Sequence, residues 1–148
     1  MNRYAHCHFC DDIRYELGNK TSLIGLYSGE MYVSNIPSVI PKLCFFVLFA
    51  TGIDSPVKAL SMRISDKEQV LMEQELSSNE LRSAFEQATE RGTEDDPIRQ
   101  FTVGMNLMAS PFVISKETTV TVSVIADGEE MIAGRLRVKQ AKEGQVQG

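Results

Sequence analysis

The sequence predicts a mainly β protein, an antiparallel two-layer β-sandwich of about eight strands with one inserted α-helix. Three observations lead there. Apolar and polar residues alternate in several runs, as where Leu60, Met62 and Ile64 are spaced by Ser61, Arg63 and Ser65, or Val120, Val122 and Val124 by Thr119, Thr121 and Ser123. A period of two belongs to a strand with one face buried. Leu43 to Ala50 is apolar at both parities, the pattern of a strand covered on both faces near the centre of a layer. The links between runs are too short for repeated helical crossovers, so neighbouring strands pair antiparallel. Packing two sheets face to face then hides one apolar face of each strand.

In chain order the strands are expected at Tyr4 to Cys10, Ser22 to Val33, Leu43 to Thr51, Val57 to Ser65, Val70 to Leu76, Arg99 to Met108, Thr118 to Ala126 and Glu130 to Gln140. Asp127-Gly128 joins the last two, and this pair tolerates the positive φ angles of a tight hairpin. Pro37, Pro41, Pro56 and Pro111 fall at strand borders, where a missing N–H does least harm. One segment reads as helix. Ser77-Ser78-Asn79-Glu80 has capping-box spacing, Leu81, Ala84, Phe85 and Ala88 recur at helical spacing, and Gly92 closes the run. So thin an apolar stripe belongs at a sheet edge or barrel mouth rather than in a core. Residues 1–140 are expected to form one domain, with the helix and acidic loop 77–97 as a dispensable insertion and 141–148 as a frayed tail.

Composition narrows the function by exclusion. At 148 residues, 43% hydrophobic, 24% charged and a net charge of -5, the chain is an ordinary soluble domain able to bury roughly 70% of its unfolded surface without disulfide or metal. No apolar run approaches the roughly 20 residues of a membrane-spanning helix. The opening residues lack the apolar core of a signal peptide, so a cytoplasmic protein is expected, with Cys7, Cys10 and Cys44 reduced. Residues 66–96 hold ten acids against three bases, a local charge of -7 that leaves +2 for the rest. That footprint does not suit nucleic acid, whose binding needs many bases acting together. The one basic stripe, Arg135, Arg137 and Lys139, reads as the solvated face of a strand.

The densest polar constellation runs from His6 to Glu16. On a regular strand His6, His8 and Cys10 share a face, and a His-x-His pair with a thiolate is chemistry that suits zinc. The simpler reading leaves both histidines on a wet face while Cys7 and Phe9 enter the core. Cys7-His8-Phe9-Cys10 is also a C-x-x-C, with Asp11 to Leu17 as a short helix, but no β-α-β pattern supplies a redox scaffold. No serine elbow or glycine-rich phosphate loop occurs. Asp11 and Asp12 are adjacent, so on a strand they face opposite ways, which disfavours paired acid–base work.

Phe9-Cys10-Asp11-Asp12-Ile13-Arg14, then Glu16, Gly18, Lys20, Ser22-Leu23-Ile24-Gly25 and Tyr27, followed by Ile36-Pro37 and Pro41-Lys42-Leu43, resembles a family of small bacterial and phage proteins of uncharacterised function. The likeness is densest in the first third, and His6 and His8 fall outside it. Ser110-Pro111-Phe112 and a closing hairpin with Val124 and Asp127-Gly128-Glu129 resemble the end of many immunoglobulin-like domains. The resemblance implies an immunoglobulin-like sandwich and brings no catalytic residues.

The expected function is therefore a non-enzymatic one without a cofactor: a protein-binding or accessory domain, bound to a protein partner or to itself, in a phage or prophage setting. Asp11, Asp12, Arg14, Glu16 and Lys20, beside the Gly18-Asn19 turn, are expected to bond one another and the loop backbone first, and to be the ligand or partner candidates second. Glu80, Glu86, Glu90, Glu94, Asp95 and Asp96 form a second partner surface, for a basic face. The rival is a small-ligand protein, a metal site at His6, His8 and Cys10, or a hydrolase using the His6 to Glu16 cluster.

Overall fold

Every expected run contains a strand, and two short strands, at residues 38–40 and 112–114, form where none was expected. The computed structural model describes residues 3–67 and 69–142. Its elements are β1 (Tyr4–Glu16), β2 (Lys20–Leu26), β3 (Glu30–Val33), β4 (Ser38–Ile40), β5 (Leu43–Gly52), β6 (Leu60–Ser65), β7 (Val70–Leu76), α1 (Ser78–Glu90), β8 (Gln100–Ala109), β9 (Phe112–Ile114), β10 (Thr118–Ala126) and β11 (Glu129–Gln140). The protein is mainly β, in three sheets. The first has the order β2-β1-β5-β8, the second β3-β11-β10-β6-β7, and β4 and β9 form a two-stranded ribbon.

Eleven strands replace the expected eight, for local reasons. Ser22 to Val33 is not one strand. The chain leaves the first sheet after Leu26 and joins the second at Glu30, with Gly29 at φ +95° between them. There β3 runs parallel to β11, the exception to antiparallel pairing. The three-residue β4 and β9 pair through Ser38↔Ile114 and Ile40↔Phe112 and are too short to show a period. No helix forms at Asp11 to Leu17. Instead β1 continues to Glu16 because β2 pairs with it through Glu16↔Lys20, across a turn with Gly18 at φ +84° and Asn19 at φ +59°. The final hairpin turns at Asp127 and Gly128, both at positive φ.

The core gathers the inward residues of both large sheets. Phe45, Val47 and Phe49 of β5 cluster with Met62 and Ile64 of β6, Val120, Val122 and Val124 of β10 and Leu136 of β11. Gly134 of β11 lies so near β1 that a β-carbon there would stand 3.2 Å from Cys7 Cβ. The prolonged apolar run is the second-from-edge strand β5, flanked by β1 and β8. Its odd residues are fully buried, whereas Phe46 and Leu48 on the other face are only half-buried.

The helix starts where the capping residues predict, with the Ser77 hydroxyl accepting from Glu80 N at 3.1 Å. Its stripe reaches deeper than expected. Leu81 is 3% exposed and belongs to the core cluster, and Phe85 meets Phe101 of β8 edge to face, with ring centroids 5.5 Å apart. At the other end of the chain, Ala141 donates to Val33 O at 2.7 Å, so the expected tail begins hydrogen-bonded; residues 143–148 of it lie outside the described residues. No described helix is long and apolar enough to cross a membrane.

Candidate functional site

The polar cluster of the first strand works as an anchor for the β1–β2 hairpin. Asp11 and Asp12 point opposite ways, as adjacent strand residues must. Tyr27 donates to Asp11 Oδ1 at 2.8 Å. The Asp11 carboxylate occupies the space that a β-carbon on Gly25 would fill, and Gly25 has φ +72°; both the space and the backbone require glycine here. Burial and then the Asp11 carboxylate push the Tyr27 hydroxyl well above the usual tyrosine range. On the opposite side Asp12 takes Lys42 Nζ at 2.8 Å and Arg14 Nε at 3.4 Å. The hydrogen bond from Lys42 holds the Asp12 carboxyl below its ordinary range, and the same bond raises the Lys42 ammonium. Glu16 and Lys20 are exposed strand partners at the hairpin's end. Each aspartate is thus satisfied by its own partners, and none of the principal cavities is lined by residues 6–20.

The histidines and cysteines sort by face. Cys7 points into the core, where burial pushes its thiol up to about 12. Cys10 and Cys44 are direct strand partners on the opposite face, buried at 0% and 3% exposure, and desolvation raises both thiols. None of the three has the depressed pKa that makes a reactive thiolate. His6 and His8 meet edge to face, with centroids 4.5 Å apart, and burial followed by the neighbouring His6 lowers the His8 imidazole. Among the described residues no group of three or more His, Cys, Asp or Glu side chains is arranged to hold a metal ion.

Register assembles something not visible in any single strand. Tyr4, His6, His8 and Cys10 of β1 stand opposite Ala50, Leu48, Phe46 and Cys44 of β5, which in turn stand opposite Thr102, Gly104, Asn106 and Met108 of β8. These twelve positions form one end of the outward side of the first sheet, and none is Asp, Glu, Lys or Arg; Cys10, Cys44 and Ala50 among them are buried, and the same side of β1 continues into Asp12 and Arg14, with Lys42 bonded to Asp12. Leu26, opposite Cys10, and Ile24, opposite Asp12, extend it with 55% and 40% exposure, and Tyr4 and Met108 are 54% and 53% exposed. Asn106 donates to the Tyr15 hydroxyl at 2.8 Å, which draws the hairpin across one end of this face. Asn106 Oδ1 is buried there without a hydrogen-bond partner.

A family model covers residues 6–139, from β1 to the last turn of sequence in β11. The chain belongs to this family, DUF6941, a family of unknown function. The DUF6941 match begins at His6, so both histidines lie within the family region and not outside it. Neither a curated protein nor a solved structure matches the chain. Several residues of the sequence resemblance meet in the fold: Asp11 with Gly25 and Tyr27, and Asp12 with Arg14 and Lys42.

Glu80, Glu86, Glu90, Glu94, Asp95 and Asp96 are all exposed on α1 and the loop after it. The basic stripe also faces outward, Arg135 and Arg137 opposite Thr121 and Thr119, with Lys139 near Glu30 at 3.5 Å. Sequence reasoning missed Lys42, Tyr27 and Gly25 as the partners of the two aspartates, and the uncharged face as a unit. The usable signal for that face was the lack of charge at the even positions of β5, of β8 and of β1 up to Cys10.

Proposed function

We propose that this DUF6941 protein is a non-enzymatic binding domain, an immunoglobulin-like sandwich of two facing sheets, that pairs with a second copy of itself through the outer face of β1, β5 and β8. The single observation that carries this reading is the absence of any formal charge from twelve outward positions of one sheet. A sheet face in permanent contact with water is ordinarily polar along its alternating positions, and contiguous apolar surface of this kind marks contact sites. A second copy fits because a two-fold contact sets a surface against itself, and like charges would then oppose one another. Within the twelve positions there are none to oppose, and the charges that border them at the Cys10 end, Asp12 with Arg14 and Lys42, are paired with one another.

The size of the face sets the strength. Three strands at about 4.8 Å spacing and seven residues at about 3.4 Å cover roughly 14 by 24 Å, less than the about 800 Å² per partner of a standard interface. Ile24, Leu26 and Tyr15 of the hairpin add to it. A weak dimer, in the micromolar to tens of micromolar range, is expected. Sedimentation equilibrium of the wild type, Leu48→Lys and Phe46→Lys tests the reading. Concentration-dependent dimerisation lost in both variants supports it, and a wild type that stays monomeric to millimolar concentration overturns it.

A further inference from the structure

Between the open edge of the second sheet and the end of the first lies a cavity of about 360 Å³. All three sheets wall it: Phe45 and Ala109 from the first, Ile64, Met72 and Val120 from the second, and Phe112 from the ribbon. Its volume is within the range of about 300–1,000 Å³ of natural ligand sites. Helix α1 packs at the opposite end of β8, with Leu81 in the core and Phe85 against Phe101, and contributes nothing to this lining.

One wall of this cavity is an unprotected strand. β7 ends the order of the second sheet, so one side of its backbone has no strand partner, and Leu71 and Met72 line the cavity. Val70 and Leu71 are 51% and 37% exposed. Edge strands are ordinarily blunted by Lys or Pro, and β7, Val-Leu-Met-Glu-Gln-Glu-Leu, has neither. Its charges are Glu73, which Arg63 of β6 meets at 3.2 Å, and Glu75, followed on α1 by Glu80, within a segment of local charge -7; Asp66 and Lys116 line the cavity itself. An unpaired backbone edge is matched by another extended backbone, a side-chain-sized apolar cavity by one side chain of it, and an acidic border by cations.

We infer that β7 and the adjoining cavity are a strand-addition site for an extended, lysine- or arginine-bearing peptide segment that seats one Leu- or Phe-sized side chain among Phe45, Met72, Ala109 and Phe112. The site shares only the protein-binding character of the reading above. It uses a different surface, so a failed dimer leaves it standing.

The probe is a blocked heptapeptide, Thr-Thr-Lys-Leu-Lys-Thr-Thr, whose leucine and flanking lysines face opposite sides of a strand as Met72 and Glu73 do, titrated into the full isotope-labelled chain while backbone amides are followed by NMR. Shifts confined to residues 69–76 and 109–120 are expected. Replacing the peptide's Leu by Asp is expected to weaken binding at least tenfold, since burying a leucine side chain is worth about a decade of affinity or more. Glu73→Lys with Glu75→Lys is expected to weaken it about threefold or more, and raising salt to weaken the wild type alike. Ala109→Phe, which fills the cavity, and Leu71→Lys, on the exposed edge, each remove the response; the second guards against misfolding of the first. No amide shift on β7 at millimolar peptide, equal binding of the Leu and Asp peptides, or shifts on β1, β5 and β8 instead would each overturn the site. So would anilinonaphthalene sulfonate filling the cavity while the peptide leaves β7 unmoved, which makes it a small-molecule pocket.

Discussion

The two large sheets turn very different outer faces to solvent. On the second sheet, Arg63, Arg135, Arg137 and Lys139 stand among Thr119, Thr121, Glu30 and Glu73, with Arg63 bonded to Glu73 at 3.2 Å and Lys139 near Glu30. On the first sheet, the twelve paired positions of β1, β5 and β8 hold no formal charge, and the charges of that side are confined to the hairpin end, at Asp12 and Arg14. Both faces are made of strands with the same inward pattern, so the inner core does not require the difference. A charged, hydroxyl-rich face has its best partner in water, whereas an uncharged face gains by leaving it. The contrast lies in the outward residues alone.

Each way of breaking this contrast has its own size. The largest effect falls outside both faces, on the seal between the sheets: Leu81→Ala is expected to cost about 2–5 kcal/mol, and replacing residues 77–97 by a Gly-Ser linker to lower stability by at least as much. Denaturant unfolding measures both. A linker variant as stable as the wild type would return α1 to the status of a dispensable insertion.

Next is the anchor that draws the hairpin over the uncharged face. Gly25→Ala must displace the Asp11 carboxylate and hold alanine at φ +72°, and is expected to cost about 2–4 kcal/mol. Tyr27→Phe, which removes only the hydroxyl donor to Asp11, is expected to cost about 1 kcal/mol. The ratio of the two, read by thermal or urea unfolding, separates backbone demand from hydrogen bonding.

Single charges should then separate the two faces. Arg137→Gln, on the charged face, is expected to change stability by no more than about 0.5 kcal/mol and leave association untouched. Leu48→Lys is expected to abolish association while the monomer remains folded, because its side chain is half-buried and can carry the ammonium to water. Equal behaviour of the two variants by sedimentation would erase the contrast.

The smallest effect is that of pH at His8. Its folded-state pKa lies below 6.5 through burial and the neighbouring His6, so on acidification the unfolded imidazole takes its proton first. Stability contributed there is complete above about pH 6.5 and declines as pH falls toward the lowered folded value. His8→Gln is expected to flatten the stability profile over that window, and an unchanged slope would assign the dependence to other groups.

Much was legible in the residues themselves. The period of two located the strands, Asp127-Gly128 the hairpin and Ser77 the helix start, because each rests on local backbone chemistry acting over a few residues. The opposite orientation of Asp11 and Asp12 also followed from adjacency alone. What was misjudged is of another kind. Three-residue strands such as β4 and β9 carry no period, and the break at Gly29 reads as continuous sequence until the chain is seen to change sheets. Leu81 looks like one residue of a thin stripe until the gap it fills is present. The partners of the aspartates lie 14 residues away at Gly25, 16 at Tyr27 and 30 at Lys42, and the uncharged face is assembled from three strands spread over a hundred residues. Sequence by itself determined the strands long enough to carry a period, the final hairpin turn and the residues that face inward on those strands, since these are set by neighbours along the chain. Only tertiary structure decided which strands lie side by side, and so which side chains share a surface, because register is fixed by contacts between segments that the chain order keeps apart.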